Sequence, residues 1–260
     1  MKKTLTLIFF TILLLANVLS FASCAVREQD DTKKIAKGDT KIIAHRGLSG
    51  MKTENTAAAF IAAGERSYYG IEADVRRTAD GGFIMCHDKT LDKLGVSGVT
   101  VEKKTLEELL GITLDGGERL CTLENYISIC KSYGKQAFLE LKSSFSAEEI
   151  YKIVVIVSEL GYLERTTFIS FSYEELLSVR AASPEQSVQY LCSKPEDGDL
   201  ERLKADGIDV SIKYTGISAE IVESLHEAGL EVGCWTVNNR LIADRLVTLG
   251  VDYITTDILE

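Results

Sequence analysis

Short apolar runs alternate with longer amphipathic segments from Lys41 to the end of the chain. In segments such as 147–160 and 218–228, apolar residues recur at helical spacing, and Gly161 and Gly229 follow as helix terminators. Strands that alternate with helices indicate β-α-β units and a mostly parallel sheet. The predicted strands are 42–45, 71–76, 83–86, 137–142, 166–171, 187–192, 209–213, 231–236 and 253–257.

One connection between predicted strands is too short for a crossover. Strands 71–76 and 83–86 are joined through Thr-Ala-Asp-Gly-Gly, which is typical of a β-hairpin. The remaining strands suit an α/β fold of the TIM (β/α)8 barrel type, a single domain with the hairpin near its site. A doubly wound open sheet is the alternative, but the first β-α turn carries no G-x-G-x-x-G sequence.

The first 40 residues lie outside this alternation. Residues 1–23 begin with Lys2 and Lys3 and continue with a long apolar run, the layout of a secretory signal peptide. Ala22-Ser23-Cys24 resembles a bacterial lipobox, in which Cys24 becomes the lipidated mature N-terminus. Ordinary cleavage and an uncleaved anchor are the alternatives. Residues 24–40 are polar and predict a flexible tether, so the predicted protein is exported and lipid-anchored to a membrane of the bacterial cell envelope, with a barrel domain over 41–260.

Composition limits the partners that the chain can bind. The formal net charge of −10 argues against binding to nucleic acid, which draws on clustered Lys and Arg. An anionic substrate is still possible where a pocket is locally positive. The six cysteines form no C-x-x-C or Cys/His array, so we predict neither a disulfide framework nor a zinc cluster, and we expect the cysteines after Cys24 to be buried apolar residues.

Charged residues interrupt four predicted strands near their C-terminal ends, where a barrel carries its active site. Burial of such a group without a partner costs on the order of several kcal/mol, so a chemical role explains the interruptions better than packing does. They are His45-Arg46, Glu72 with Asp74, His87-Asp88, and Glu140 with Lys142.

The carboxylates among these residues predict a metal site. Glu72 and Asp74 are two residues apart on a strand, so both side chains project from one face. Glu140 offers a third carboxylate. One divalent cation with a preference for oxygen ligands, Ca²⁺ or Mg²⁺, would hold these groups together. The alternative is that Glu72 and Asp74 form the solvent face of an edge strand.

The histidines and the cations complete a pocket for a phosphate ester. Arg46 and Lys142 can neutralise phosphate oxygens. His45 and His87 can act as base and acid near neutral pH. We therefore predict phosphodiester hydrolysis. The third histidine, His226, lies in an ordinary helical segment, and we expect no catalytic role for it.

Six short motifs in this order resemble the glycerophosphodiester phosphodiesterase family across residues 41–259. They are A-H-R-G, E-N-T, E-A-D-V-R, H-D, L-E-L-K and W-T-V-N. The resemblance implies a TIM barrel, a divalent metal and hydrolysis of a small glycerophosphodiester substrate to an alcohol and sn-glycerol 3-phosphate. In the family scheme a glycerol hydroxyl attacks phosphorus, and water then opens the cyclic phosphate.

The resemblance also assigns roles by motif. It implies that His45 and His87 are the acid/base pair, that Glu72, Asp74 and Glu140 bind the metal, that Arg46 and Lys142 contact phosphate, and that Trp235 lines the site. For Glu54-Asn55-Thr56 we expect mainly the capping of the following helix.

The chain departs from the family pattern near the leaving group. Thr53 stands where the family often has Pro, and Leu-Asp-Lys-Leu after His87-Asp88 lacks the usual Arg and Thr pair. The insertion that caps the site in the family is short here, over 88–122. These differences leave the alcohol open. Alternatives on the same fold are a lysophospholipase D, a polyglycerolphosphate (teichoic acid) hydrolase and a non-catalytic glycerophosphodiester-binding lipoprotein.

Overall fold

Parallel strands close into a barrel in the computed structural model, which describes residues 32–196 and 198–260. The strands are β1 (Lys41–Ala44), β2 (Gly70–Arg77), β3 (Phe83–Met85), β4 (Cys121–Thr122), β5 (Gln136–Leu141), β6 (Thr166–Ser170), β7 (Val188–Cys192), β8 (Asp209–Lys213), β9 (Val232–Trp235) and β10 (Tyr253–Thr256). Within the described ranges eight of them follow the order β1-β10-β9-β8-β7-β6-β5-β2, and pairing of β1 with β2 closes the ring. The predicted barrel is thereby confirmed, and the open-sheet alternative is wrong.

Helices follow the barrel strands, and most begin at a hydroxyl side chain that accepts a hydrogen bond from the first turn. Ser146 and Ser218 cap the two helices predicted at 147–160 and 218–228 in this way. None of the helices in the described ranges has the length and apolar character needed to cross a bilayer. The helices are α1 (Ala57–Gly64), α2 (Leu106–Leu110), α3 (Leu123–Tyr133), α4 (Ala147–Glu159), α5 (Tyr173–Ala182), α6 (Asp199–Asp206), α7 (Ala219–Glu227) and α8 (Arg240–Thr248).

The predicted hairpin is present beside the barrel. The end of β2 pairs antiparallel with β3, and β4 adds a third, two-residue strand that was not predicted. The chain between β3 and β4 packs around its own small apolar core. That core contains Ile84, Cys86, Leu91, Val101, Leu109, Leu114 and Leu120.

Apolar side chains cover both faces of the barrel strands, the outer face against the helices and the inner face inside the barrel. Ala73 and Val75 of β2 belong to the main core, which also holds helix residues such as Phe60 and Tyr126. Glu72 and Asp74 alternate with them and therefore point into the barrel. The barrel interior is filled by Ile43, Phe138, Ile169, Leu191 and Tyr253.

The cysteines of the described residues confirm the expected packing role. Cys86, Cys121, Cys130, Cys192 and Cys234 are all free and buried. Cys24, the signal peptide and residues 24–31 of the predicted tether lie outside the described residues.

Replacement of Gly70 tests the packing of the barrel interior. A Cβ atom at Gly70 would lie 2.7 Å from Phe138 Cε2 and 2.8 Å from the carbonyl oxygen of Gln136. We expect Gly70→Ala to lower the free energy of unfolding by about 1–3 kcal/mol, measured by urea denaturation. Gly111→Ala is the control, because its Cβ would meet nothing closer than 3.4 Å. An equal effect of the two substitutions would contradict the close packing.

Candidate active site

The charged residues predicted from strand ends meet at the C-terminal end of the barrel. Because the barrel strands are parallel, the end of each one faces the same side. The cavity there measures about 180 Å³. It is lined by the predicted residues His45, Arg46, Glu72, His87, Glu140, Lys142 and Trp235, together with Phe138, Ile169, Phe171, Gln189, Leu191, Ser211, Thr236 and Thr255. The insertion over 88–122 contributes no residue to this lining within the described chain.

Three buried carboxylates form the most strongly charged part of the site. Glu72, Asp74 and Glu140 each place one oxygen within 4.8 Å of the others. Their proximity follows from strand register, since Asp74 lies directly beside Glu140 in the β2–β5 pairing. Glu72 Oε1 and Asp74 Oδ1 are buried and accept no hydrogen bond from any described residue.

The protonation behaviour of the carboxylates reflects this crowding. Burial and the charges of Asp74 and Glu140 raise the pKa of Glu72 well above its ordinary value. Burial and the charge of Asp74 likewise raise the pKa of Glu140 to about 7. Asp74 differs: burial alone would raise its pKa, but Arg46 and Lys142 lower it. Buried oxygens that accept no hydrogen bond, on carboxylates that repel one another, fit a divalent cation with oxygen ligands.

Arg46 is held among carboxylates by both its backbone and its side chain. Its backbone N–H donates to Glu72 Oε2 at 2.7 Å, from a left-handed conformation with φ of 53°. Nη1 lies 2.9 Å from both carboxylate oxygens of Glu54, and Nε lies 3.4 Å from Asp74 Oδ2. The next residue, Gly47, must be glycine, because a Cβ there would lie 2.6 Å from the backbone of Ala59 in α1.

Lys142 is the second cation of the pocket. Its Nζ lies 2.6 Å from Glu140 Oε1 and 3.6 Å from Asp74 Oδ1. The same atom lies 5.7 Å from the centre of the Phe171 ring. Lys142 therefore stands between the carboxylates and the aromatic wall of the cavity.

The segment Glu54-Asn55-Thr56 does more than the predicted capping. Thr56 is the N-cap of α1, as expected. Glu54 pairs with Arg46, and Asn55 uses both ends of its amide on Asp74: Nδ2 donates to Oδ2 at 2.8 Å, and Oδ1 accepts from the backbone N–H at 3.1 Å. Sequence reasoning missed these contacts, although three polar residues before an alanine-rich helix were a visible signal.

His45 follows β1 and is held by a residue that was not predicted. Its Nδ1 lies 2.7 Å from Asp257 Oδ1, and its Nε2 lies 4.0 Å from Glu72 Oε2. Burial alone would raise the pKa of Asp257, but hydrogen bonds from His45, Asn238 and Ser49 lower it to about 2. The available signal was that Asp257 is a charged residue at the end of the predicted strand 253–257.

His87 has a similar arrangement after β3. Its Nδ1 lies 2.7 Å from Asp88 Oδ1, and its carbonyl oxygen accepts hydrogen bonds from Nε and Nη2 of the buried Arg76. Arg76 Nη1 in turn donates to Glu102, which ties the insertion to the site. Burial lowers the pKa of His87, and the charges of Arg46 and Lys142 lower it further against the opposing effect of Asp74.

Aromatic rings form the remaining wall of the cavity. Trp235 and Phe171 meet edge to face, with ring centres 5.5 Å apart. Trp235 Nε1 donates to the carbonyl oxygen of Ser211 at 3.1 Å, which fixes the indole against β8. The cavity thus combines charged groups suited to a phosphate with an apolar surface suited to carbon atoms. His226 pairs with Asp252 on the exterior and does not line the cavity.

Sequence comparisons point to one family. Residues 45–260 match the sequence profile of the Glycerophosphoryl diester phosphodiesterase family. A glycerophosphodiester phosphodiesterase of Caldanaerobacter subterraneus subsp. tengcongensis is 32% identical over 231 residues, which cover 84% of this chain and 94% of that protein. A glycerophosphodiester phosphodiesterase of Bacillus altitudinis is 29% identical over 235 residues, which cover 84% of this chain and 94% of that protein.

Solved structures agree with the sequence comparisons. An Oleispira antarctica phosphodiesterase in complex with the product sn-glycerol-3-phosphate has a TM-score of 0.74 to this chain at 28% identity, covering 84% of this chain and 93% of that one. A glycerophosphodiester phosphodiesterase from Parabacteroides distasonis gives the same TM-score of 0.74, identity of 28% and coverage of 84% and 93%. The predicted family is therefore confirmed: the chain belongs to the glycerophosphoryl diester phosphodiesterase family.

Proposed function

We propose that this protein hydrolyses glycerophosphodiesters and releases an alcohol and sn-glycerol 3-phosphate. The observation that carries the proposal is one cavity in which His45 and His87 stand beside three buried carboxylates and two cations. Membership of the family supports the same reaction. The product sn-glycerol-3-phosphate in the Oleispira antarctica enzyme supports the glycerophosphate half of the substrate.

We infer that Glu72, Asp74 and Glu140 hold one divalent cation, Ca²⁺ or Mg²⁺. The buried oxygens of Glu72 and Asp74 without hydrogen bonds support this assignment. When bound, such a cation supplies positive charge to the phosphate and stabilises the charge that develops in the transition state. The all-oxygen ligand set favours a hard cation over zinc.

The two histidines divide the proton transfers. In each ring Nδ1 faces an aspartate, so Nε2 is the nitrogen left for the substrate. One Nε2 accepts the proton of the glycerol hydroxyl as its oxygen attacks phosphorus, and the other donates a proton to the departing alkoxide. When water opens the cyclic phosphate the two roles reverse, so each ring is restored after a turnover.

The cationic side chains contribute unequally to phosphate binding. Lys142 lines the cavity, and a rotation of its side chain away from Glu140 would bring Nζ towards a phosphate oxygen. Arg46 lines the cavity too, but its Nη1 is committed to Glu54. We therefore propose that Lys142 makes the direct contact and that Arg46 chiefly balances the carboxylate charge. Trp235 and Phe171 would pack against the carbon skeleton of the substrate.

For localisation we propose export and lipid anchoring through Cys24. The basic start, the apolar run and Ala22-Ser23-Cys24 support this, and all of these residues lie outside the described ranges. The anchored domain would act in the bacterial cell envelope.

Removal of divalent cations is expected to stop the reaction. A chelator should abolish release of sn-glycerol 3-phosphate from glycerophosphocholine, and added Ca²⁺ or Mg²⁺ should restore it, as measured by a coupled enzymatic assay. Glu72→Gln should prevent the recovery, because an amide is a weaker ligand than a carboxylate. Glu231→Gln is the control, since Glu231 precedes β9 at the opposite end of the barrel. Activity that resists the chelator would show that the reaction does not require a divalent cation.

Loss of either catalytic histidine is expected to reduce turnover strongly. His45→Asn or His87→Asn should lower kcat by about 10²-fold or more, because each removes a proton transfer. His226→Asn is the matched control and should leave kcat unchanged. A variant of His45 or His87 with normal turnover would exclude that residue from the mechanism.

The choice of substrate separates the proposed function from its alternatives. Glycerophosphocholine should be cleaved faster than lysophosphatidylcholine or polyglycerolphosphate, measured as kcat/KM for each. Faster cleavage of lysophosphatidylcholine or of polyglycerolphosphate would instead identify that compound's class as the substrate of this enzyme. Calorimetric binding of glycerophosphocholine without any turnover would favour a binding protein.

Lipidation at Cys24 predicts a membrane-bound protein. Cys24→Ala should move the protein from the membrane fraction to the soluble fraction, or leave it with an uncleaved signal that is visible by mass spectrometry. Cys86→Ala is the control, because Cys86 is buried in the small core beside the barrel. Unchanged membrane association and cleavage in the Cys24 variant would refute lipidation at this residue.

A further inference from the structure

Asp257 is placed next to His45 by the register of two neighbouring strands. β1 pairs with β10 in parallel, with Ala44 opposite Thr256. The next residue on each strand is therefore His45 or Asp257, and the backbone N–H of His45 donates to the Thr256 carbonyl at 2.8 Å. The side chains meet at 2.7 Å between Nδ1 and Oδ1. The pairing thus results from the closure of the barrel itself.

The Asp257 carboxylate is fixed by donors on both of its oxygens. The Ser49 hydroxyl lies 3.0 Å from Oδ1, and the Asn238 amide donates to Oδ2. Asn238 Oδ1 in turn accepts from the Asp257 backbone N–H at 2.9 Å and from the Thr256 hydroxyl at 3.1 Å. With its oxygen held by two donors, the Asn238 amide cannot turn over, so its N–H must face Asp257.

We propose that Asp257 is a positioning residue for the phosphodiesterase reaction. Its carboxylate keeps a proton on His45 Nδ1 and leaves Nε2 directed at the cavity for proton transfer. A carboxylate is an acceptor, so the imidazole nitrogen that faces it must carry the hydrogen. The inference rests on the proposed function, because the ring needs a fixed tautomer only if Nε2 exchanges a proton with the substrate.

An aspartate beside a histidine is not by itself a catalytic feature. Asp252 Oδ2 lies 2.9 Å from His226 Nε2, on the exterior and away from the cavity. The His45 pair differs because its histidine lines the cavity and its aspartate is locked by Asn238. The chain therefore supplies a matched control for the test.

The substitution Asp257→Asn should force His45 into the tautomer that carries its proton on Nε2. The introduced amide must turn its oxygen to the Asn238 N–H, so its own N–H₂ faces His45 Nδ1 and moves the imidazole proton to Nε2. We expect Asp257→Asn to lower kcat by about 10²-fold or more, with KM within threefold of wild type. Asp257→Ala should be no more harmful, although it removes more atoms, and Asp257→Glu should recover part of the activity.

The tautomer can be observed directly by NMR of the ring nitrogens. In ¹⁵N-histidine-labelled protein, His45 should carry its proton on Nδ1 in the wild type and on Nε2 in Asp257→Asn. Asp252→Asn should change neither kcat nor the His45 signals. Circular dichroism and thermal unfolding show whether each variant is folded. If Asp257→Asn does not fold, Asn238→Ala serves instead, with an expected loss of about 10-fold in kcat because Asp257 is then free to rotate.

The results that would overturn the positioning role of Asp257 differ from the result that would refute the proposed function. A folded Asp257→Asn variant with nearly normal kcat, or with the His45 proton still on Nδ1, would overturn the positioning role. A larger loss in Asp257→Ala than in Asp257→Asn would also overturn it, because that order reflects packing. A wild-type protein that releases no sn-glycerol 3-phosphate would refute the proposed function, and the NMR signals would still show whether Asp257 keeps the proton on His45 Nδ1.

Discussion

Mutual repulsion among three buried carboxylates is the constraint around which the site is built. Glu72, Asp74 and Glu140 converge within 4.8 Å inside the barrel, where charges are poorly screened. Arg46 and Lys142 offset part of this charge, and Asn55 donates a hydrogen bond to Asp74. The pKa values of Glu72 and Glu140 nevertheless remain raised. The protein's own side chains therefore do not fully neutralise the three carboxylates. A divalent cation bound between them would remove the remaining repulsion.

The barrel provides the precision that such a site requires. Asp74 and Glu140 are neighbours because β2 and β5 pair in that register, and His45 and Asp257 are neighbours because β1 and β10 close the ring. Each contact depends on residues distant in sequence and adjacent in the sheet. Among the described non-glycine residues, Arg46 and Asn55 are the two with a left-handed backbone, and both contact Asp74. Both of these unfavourable conformations therefore help to hold the carboxylates.

The sequence predicted the features that have a local signature. Alternating strands and helices identified the barrel, and charges at strand ends identified the histidines, the carboxylates and Lys142. Asn238 had no comparable signature, because a polar residue in a loop is common, and Asp257, although it ends a predicted strand, carried no local indication of its partners. Their importance depends on which strands become neighbours. For Arg46 the chemistry was anticipated but the partner was not, since Glu54 meets its guanidinium only when the loop before α1 turns back and the Asn55 N–H donates to the Arg46 carbonyl.

A crystal structure with Ca²⁺ and sn-glycerol 3-phosphate bound would test the proposed site most directly. We expect one cation ligated by Glu72, Asp74 and Glu140 at about 2.3–2.6 Å, together with a phosphate oxygen. We also expect Nε2 of His45 and of His87 to lie within hydrogen-bonding distance of product oxygens. A cation bound elsewhere, or a phosphate beyond the reach of both rings, would contradict the proposed site.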